Sequence, residues 1–272
     1  MGCCHEPAGM TLEYVVLGDP VEHSLSPVIQ QAAFDFVGFD ATYGRRRVDS
    51  AGLAAAIDEV RSGSLAGANV TMPHKRLAAE LADEVVGPAR LIAAANTVWA
   101  EGGRVFAATT DPDGVRFAWA HAELPADRPV LVLGSGGAAA AALAGREGHV
   151  RNVSARRQHS AEALAVSLGG GIGVIPWGAP VPGAVVVNAT PLGMAGESLP
   201  QGVLEEASGL LEMTYGTGPT PAARFVAGRG FPVATGEAML VGQGMASFSI
   251  WTGRTLPHDV MLRALPPAES GR

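Results

Sequence analysis

The sequence predicts an α/β protein of two domains, and three features of the chain support this prediction. Short apolar runs alternate with segments whose apolar residues recur at helical spacing, as in largely parallel sheets covered by helices. A glycine-rich turn at 134–137 joins a continuous apolar run to an alanine-rich segment. Two such α/β series follow each other along the chain and meet near residues 112–123.

The first series begins close to the N-terminus. Strands are predicted over 13–19, 41–48 and 67–71, and helices over 28–38, 52–63 and 76–86. Ser26 is the predicted N-cap of the first helix because Pro27 follows at the first helical position. Gly63 should end the second helix. A hairpin is expected over 91–110, with its turn at Glu101, Gly102 and Gly103.

The second series begins with a helix over 111–123. A strand and a helix follow within 129–145, then strands over 150–155, 172–176, 184–191 and 210–215, with a helix over 160–170. The last two helices, 237–253 and 258–265, are expected to pack back on the first domain. The predicted domains are therefore 11–112 with 238–272, and 113–237.

The composition limits the classes of partner. With 272 residues, 47% of them hydrophobic, the chain can bury a sizeable core. Its formal net charge of −7 argues against a nucleic-acid or anionic-membrane partner. Cys3 and Cys4 are the two cysteines, which excludes a disulfide framework and indicates a cytoplasmic protein. The seven histidines are scattered, so no metal is expected. The sequence leaves a homodimer open.

The turn after the apolar run Leu131–Leu133 has the composition of a dinucleotide-binding site. The predicted contacts to a pyrophosphate come from a helix N-terminus and from a run of small residues, Gly134, Ser135, Gly136, Gly137 and Ala138. A strand–turn–helix that merely favours small residues is the alternative. The context, a strand before and a helix after, favours the cofactor.

The next strand end indicates which dinucleotide binds. It carries Ala155, Arg156 and Arg157 rather than an acidic residue that would bind a free ribose 2′-hydroxyl. Two guanidinium groups suit a 2′-phosphate, which arginine can bind bidentately. NADP is therefore predicted over NAD, with ordinary surface arginines as the alternative.

Eight motifs along the chain resemble, in the same order, those of the shikimate dehydrogenase family. They are SLSP (24–27), NVTMPHK (69–75), AANT (94–97), TTDPDG (109–114), GSGGAAAAA (134–142), NATPLGM (188–194), Tyr215 followed by Thr220 and Pro221, and GEAMLVGQG (236–244). The resemblance covers about residues 13–265. It implies a substrate domain completed by the C-terminal helices and a Rossmann-like NADP-binding domain inserted between its parts.

The resemblance also implies an activity, the NADPH-dependent interconversion of 3-dehydroshikimate and shikimate in aromatic amino-acid biosynthesis. The partner would be a small polyhydroxylated cyclohexene carboxylate. Lys75 and Asp111 would be the catalytic pair. The implied substrate-binding residues are Ser24, Ser26, Thr71, Asn96, Tyr215 and Gln243. Thr190, Met213 and Gly236 would join the cofactor-binding residues.

Several positions depart from the family pattern and leave the substrate open among close relatives. Gln30 and Gln31 replace a usual His-Asn pair, and Thr109 replaces a usual Asn. Glu212 replaces a usual Asp, and Ala155 replaces the Asn with which the ribose loop usually begins. The alternatives are a quinate- or aminoshikimate-type dehydrogenase of the same fold, and a non-catalytic sensor that binds shikimate.

Overall fold

The computed structural model describes residues 11–214 and 218–266, and the chain divides into two compact units. The first unit contains residues up to Thr110 together with 244–266, and the second extends from Asp111 to Gln243. The predicted domain boundaries lie at 112 and 238. The assignment of a function to each unit stays a prediction.

The elements follow in chain order. Up to Thr110 they are β1 (Leu12–Gly18), α1 (Ser26–Val37), β2 (Ala41–Arg47), α2 (Ser50–Ser62), β3 (Gly67–Val70), α3 (Lys75–Leu81), β4 (Glu84–Val85), α4 (Ala89–Ile92), β5 (Thr97–Glu101) and β6 (Arg104–Ala108). Beyond it they are α5 (Asp111–His121), β7 (Val130–Leu133), α6 (Gly137–Gly145), β8 (Arg151–Ser154), α7 (Gln158–Ser167), β9 (Ile172–Val174), β10 (Val185–Asn188), α8 (Gln201–Glu205), β11 (Gly209–Glu212), α9 (Pro221–Gly228), β12 (Val233–Ala234), α10 (Gly236–Thr252) and α11 (His258–Ala264).

The sheet of the first unit has the order β2-β1-β3-β5-β6-β4. Strands β2, β1 and β3 are parallel, whereas β5 runs antiparallel to both β3 and β6. The predicted hairpin is present between β5 and β6. Its turn is formed by Gly102 and Gly103, which both take positive φ, 57° and 77°. The sheet is therefore mixed, and β4 adds a second parallel pairing, with β6, at the opposite edge.

Helices cover both faces of this sheet, as the alternation along β1 requires. Val15 and Leu17 belong to the core that β1 shares with α2. Tyr14 points to the other face, where its ring lies 5.1 Å from Phe34 of α1 and 4.8 Å from Trp251 of α10. Helix α11 packs against α1, so the C-terminal segment completes one face of the first unit.

The sheet of the second unit is entirely parallel and has the order β12-β11-β10-β7-β8-β9. The strand order reverses between β7 and β10, which is the doubly wound arrangement of dinucleotide-binding folds. Along β7, Val130 and Val132 join one core while Leu131 and Leu133 join the other. Both faces of the sheet are thus buried, and the predicted α/β class is confirmed.

Two local predictions are wrong. Ser26 is not the N-cap of α1, because Leu25 holds that position without a side-chain cap and Ser26 is already helical. The helix predicted over 76–86 ends at Leu81, and the chain then forms β4 beside β6. Asp83 explains the change, since its carboxylate accepts the Val105 N–H at 2.7 Å and draws the segment to the sheet edge. Besides β4, four short elements were not predicted: α4, α8, α9 and β12.

Candidate active site

Thr71, a predicted substrate-binding residue, directly follows β3 and lies beside the carboxyl end of the neighbouring strand β1. The Thr71 N–H donates to the Leu17 carbonyl at 2.8 Å. A Cβ added to Gly18 would lie 2.3 Å from Thr71 Cγ2, so only glycine permits this approach. Ser24 and Ser26 follow β1 together, and the Ser24 hydroxyl accepts the N–H of Ser26 at 3.3 Å. Thr71, Ser24 and Ser26 are all partly exposed.

The backbone of Lys75 is held from two sides at the first position of α3. Its neighbour His74 is buried, and the ring Nε2 lies 2.8 Å from the Val48 carbonyl oxygen. The Lys75 carbonyl accepts the N–H of Ala95 at 2.8 Å. These contacts give His74 a structural role. They also bring Lys75 next to the segment that carries Asn96.

Asn96 is buried, and its side-chain amide holds the residue that precedes Asp111. Its Oδ1 accepts the Thr110 N–H at 2.8 Å, and its Nδ2 donates to Thr110 Oγ1 at 3.0 Å. The backbone N–H can only donate, so it fixes which end of the amide faces Thr110. Asn96 was predicted to bind a ring hydroxyl. The geometry adds a second role, because the amide sets the position of the chain just before Asp111.

Further polar residues, absent from the predicted site, extend this arrangement through the first unit. Tyr43 donates to Asn69 Oδ1 at 2.7 Å, and Asn69 Nδ2 donates to Ser247 Oγ at 3.0 Å. Ser247 Oγ lies 2.8 Å from Thr97 Oγ1, which donates to Asn96 Oδ1 at 3.0 Å. Burial raises the pKa of the Tyr43 phenol well above its usual value, so the phenol remains a donor. The donors and acceptors thus form one continuous chain to Asn96.

A sequence signal for this network exists but is weak. Asn69 interrupts an apolar strand, and Ser247 lies fully buried within the apolar length of α10. Polar side chains at such positions need partners, because an unpaired buried polar group costs about 1–3 kcal/mol. The sequence shows the need for partners but not which residues meet it.

Asp111 and Gln243 stand at the limits of the second unit. Asp111 is the first residue of α5 and is 5% exposed, and it directly follows the Thr110 that Asn96 holds. Gln243 is partly buried on α10. Helices α5 and α10 approach closely near it, since a Cβ on Gly114 would lie 2.6 Å from the Met239 carbonyl oxygen. Tyr215 lies outside the described residues.

The glycine-rich turn of the second unit occurs where the strand order reverses. Gly134 has φ of 122°, and a Cβ there would lie 2.7 Å from the Ala189 carbonyl oxygen. The loops after β7 and β10 therefore approach each other closely. The Gly134 N–H donates to the Ser154 carbonyl at 2.8 Å, which ties in the end of β8.

The N-terminus of α6 is accessible and has no side-chain cap. Gly136, Gly137 and Ala138 are exposed, and a Cβ on either glycine would meet nothing within 4 Å. Unsatisfied N–H groups and the helix dipole at such an end attract a phosphate. Ser135 is partly buried in the same turn. The residues present fit the pyrophosphate of a dinucleotide.

Arg156 and Arg157 are exposed after β8, beyond the buried Ala155. Within residues 11–214 and 218–266 neither arginine forms an ion pair. Their charges are therefore not neutralised by the described protein, which fits a phosphate group as their partner.

The remaining predicted cofactor residues lie on the loops after β10 and β11 and at the start of α10. Thr190 donates through its hydroxyl to Asn188 Oδ1 at 2.6 Å, so this hydroxyl also shapes the turn. Met213 is partly buried, and its N–H donates to the Asn188 carbonyl at 3.2 Å. Gly236 is the buried first residue of α10.

Comparisons with known proteins identify the family. The family model described as Shikimate dehydrogenase substrate binding domain matches residues 16–98, and the one described as Shikimate 5'-dehydrogenase C-terminal domain matches residues 236–265. A shikimate dehydrogenase (NADP(+)) of Anaeromyxobacter sp. (strain Fw109-5) is 38% identical over 94% of this chain and 96% of its own. The chain belongs to the shikimate dehydrogenase family.

Solved structures resemble the chain over nearly its whole length. Shikimate 5-dehydrogenase from Thermus thermophilus, in complex with NADP(H) and shikimate, has a TM-score of 0.87 at 32% identity, covering 93% of this chain and 98% of that chain. An Ael1 enzyme from Pseudomonas putida has a TM-score of 0.84 at 31% identity, covering 95% and 100%.

Two glutamines that depart from the usual shikimate dehydrogenase pattern have structural partners. Gln30 is fully buried and donates through Nε2 to the Gly244 carbonyl at 2.9 Å, which joins α1 to α10. Gln31 donates to the Ala41 carbonyl at 3.1 Å and accepts the Tyr43 N–H at 3.1 Å. The two glutamine side chains therefore hold helix α1 in its position.

Glu212, where shikimate dehydrogenases usually carry Asp, is a buried carboxyl at the end of β11. Its oxygens accept hydrogen bonds from Thr220 Oγ1 at 2.8 Å, from Thr214 Oγ1 at 3.3 Å and from the Asn188 amide. Burial raises its pKa to about 6, against the lowering effect of these donors. The carboxyl links two connections, the one after β10 and the one between β11 and α9.

The raised pKa predicts a pH dependence of stability. The native state holds the Glu212 proton more tightly than the unfolded chain, so the unfolding free energy falls as pH rises from about 4.5 through about 6. A shift of that size corresponds to about 2 kcal/mol. Glu212→Gln should remove this part of the fall, as measured by denaturant unfolding at pH 4.5, 5.5 and 7. Glu206→Gln, at an exposed position, is the charge control. Parallel pH profiles for wild type and Glu212→Gln would contradict the assignment.

Among the described residues, no group of three or more His, Cys, Asp or Glu side chains could hold a metal ion. No helix within residues 11–214 and 218–266 has the length and apolar character needed to cross a bilayer.

Proposed function

We propose that this chain is an NADP-dependent shikimate dehydrogenase that interconverts 3-dehydroshikimate and shikimate. The observation that carries the proposal is the 38% identity to an enzyme of that name over 94% of this chain and 96% of the relative. A match of that extent includes every proposed site residue rather than one domain alone.

In this proposal the substrate contacts come from Ser24, Ser26, Thr71 and Asn96 of the first unit, and from Tyr215 and Gln243 further along the chain. The hydroxyls of Ser24 and Ser26, with Tyr215, bind the carboxylate of the cyclohexene ring. Thr71, Asn96 and Gln243 bind its hydroxyl groups. Short polar side chains that follow strands suit such a ligand, because each can pair one donor or acceptor of a polyhydroxylated ring.

Lys75 and Asp111 carry the proton chemistry in this proposal. The Lys75 ammonium donates a hydrogen bond to the carbonyl oxygen of 3-dehydroshikimate and stabilises the negative charge that develops there. It then donates the proton to that oxygen. In the reverse direction Lys75 accepts the hydroxyl proton. Asp111 orients the ammonium. Two contacts support this assignment, that of the His74 ring with the Val48 carbonyl and that of the Ala95 N–H with the Lys75 carbonyl, since they hold the start of α3 in one position.

The second unit binds the cofactor in this proposal. NADPH, when bound, supplies the hydride. The turn residues Gly134, Ser135, Gly136, Gly137 and Ala138 hold the pyrophosphate, and Ala155, Arg156 and Arg157 hold the adenosine ribose with its 2′-phosphate. Thr190, Met213 and Gly236 line the nicotinamide side. The exposed, uncapped end of α6 and the two unpaired guanidiniums among the described residues support this assignment.

The absence of a disulfide framework in the sequence supports a cytoplasmic location for the enzyme. A homodimer stays a prediction, which light scattering on the purified protein tests.

The function is tested by measuring turnover and binding side by side. Purified protein should reduce NADP with shikimate, and calorimetry should show shikimate binding under the same conditions. Binding of shikimate without turnover would support a non-catalytic sensor and contradict the proposed enzyme.

The choice of NADP over NAD is tested at Arg156. Arg156→Ala should raise KM for NADP by about 10-fold or more, since a charged hydrogen bond to phosphate is lost, and change KM for NAD by less than about twofold. Arg116→Ala, an exposed arginine of the same unit that pairs with Asp113 at 2.6 Å, is the matched control. Equal losses for both coenzymes would contradict a contact to the 2′-phosphate.

A further inference from the structure

Arg45 differs from the two arginines that follow it in β2. Arg46 pairs with Glu59 at 2.7 Å and Arg47 pairs with Asp19 at 2.7 Å. Arg45 forms no ion pair within the described parts of the chain. It is nevertheless held in place, because Nε and Nη2 both donate to the Ser24 carbonyl oxygen, at 2.9 and 2.6 Å.

This contact brings a positive charge to the segment of the two serines. The guanidinium contacts the backbone of Ser24, whose hydroxyl accepts the N–H of Ser26. An arginine has five N–H donors in a fixed fork, so donors remain beyond the two used on the carbonyl. The serine hydroxyls are neutral, and by themselves they offer a carboxylate no opposite charge. Arg45 supplies that charge beside the segment that carries both.

We propose that Arg45 is a further substrate-binding residue, the counter-ion of the carboxylate that Ser24 and Ser26 bind. The inference rests on the proposed function, and it adds a basis for specificity. A cation beside the serines favours a ring acid over a neutral polyol of the same shape.

A purely structural role for Arg45 makes a different prediction. If the guanidinium only braced the Ser24 carbonyl, its loss would weaken binding of charged and neutral ligands alike. If the guanidinium pairs with the carboxylate, its loss would weaken the binding only of ligands that carry the negative charge. The methyl ester of shikimate removes that charge and keeps the ring.

The test uses the full-length protein with three variants. Arg45→Gln should raise KM and the calorimetric Kd for shikimate about 10-fold, leave kcat within about twofold, and leave KM for NADP unchanged. Arg45→Lys keeps the charge and should recover most of the affinity. Arg47→Gln removes the same charge from the same face of β2 and should have a much smaller effect. The inhibition constant of shikimate methyl ester should be the same for wild type and Arg45→Gln.

Three results would overturn the proposal: an unchanged shikimate affinity in Arg45→Gln, an equal loss of shikimate affinity in Arg47→Gln, or methyl-ester binding that is weakened as much as shikimate binding in Arg45→Gln. The calorimetric Kd does not depend on turnover. A wild-type protein that binds shikimate without oxidising it would therefore contradict the proposed function while still giving a result for Arg45.

Discussion

Lys75→Met is expected to lower kcat by about 10²- to 10⁴-fold, the usual range for the loss of a general acid–base group. Methionine has a similar length but carries neither charge nor proton. Because Lys75 lies at the start of α3 with its backbone held by hydrogen bonds, the substitution should leave the fold and the shikimate Kd nearly unchanged. The measurement is kcat for shikimate oxidation with saturating NADP, together with calorimetric Kd values.

Arg76→Met is the matched control for this variant. Arg76 is the next residue in α3, and its exposed side chain pairs with Glu80 at 2.8 Å. Its loss should alter kcat by less than about twofold, since exposed ion pairs contribute little. Turnover in Lys75→Met equal to that of wild type would show that Lys75 does not carry the proton chemistry.

Asn96→Leu is expected to affect both stability and turnover. Leucine has a similar volume but leaves the buried Thr110 N–H and hydroxyl without the partners that Asn96 provides. The loss should cost about 2–4 kcal/mol of unfolding free energy, because the Thr110 N–H, the Thr110 hydroxyl and the Thr97 hydroxyl each lose a hydrogen-bond partner. It should also lower kcat by about 10-fold or more, since Thr110 precedes Asp111 and a displaced catalytic group loses its alignment.

Ser247→Ala gives the graded comparison for Asn96→Leu. It removes one hydroxyl from the same network and should cost about 1 kcal/mol, with a smaller change in kcat. Denaturant unfolding and steady-state kinetics on all three proteins separate the roles of Asn96. A raised KM for shikimate with unchanged stability would show that Asn96 only binds substrate and does not position Thr110.

The elements that could be predicted from the sequence are those specified by local rules. Gly134 follows a continuous apolar strand and takes the positive φ that the turn requires. Gly102 and Gly103 form the expected hairpin for the same reason. Five of the six parallel strands of the second unit, all but β12, also follow from local pattern, since each is a short apolar run between turns. Such features depend on residues that are neighbours in sequence, so one amino-acid sequence is sufficient to predict them.

The features that were missed depend on residues distant in sequence. The end of α3 depends on the contact of Asp83 with Val105, 22 residues away. The polar network joins Asn69 to Ser247, which are 178 residues apart. Arg45 meets Ser24 across 21 residues. The sequence marks these residues as polar or charged, but only the fold shows which of them meet.

Above all, this chain is expected to oxidise shikimate with NADP. The most direct measurement is kcat/KM from the appearance of NADPH, with shikimate, quinate and the amino analogue of shikimate compared on one preparation. The predicted result is a value for shikimate at least about tenfold above both others, and NADP preferred to NAD. A higher value for quinate or the amino analogue, or no NADPH formed with any of the three, would contradict it.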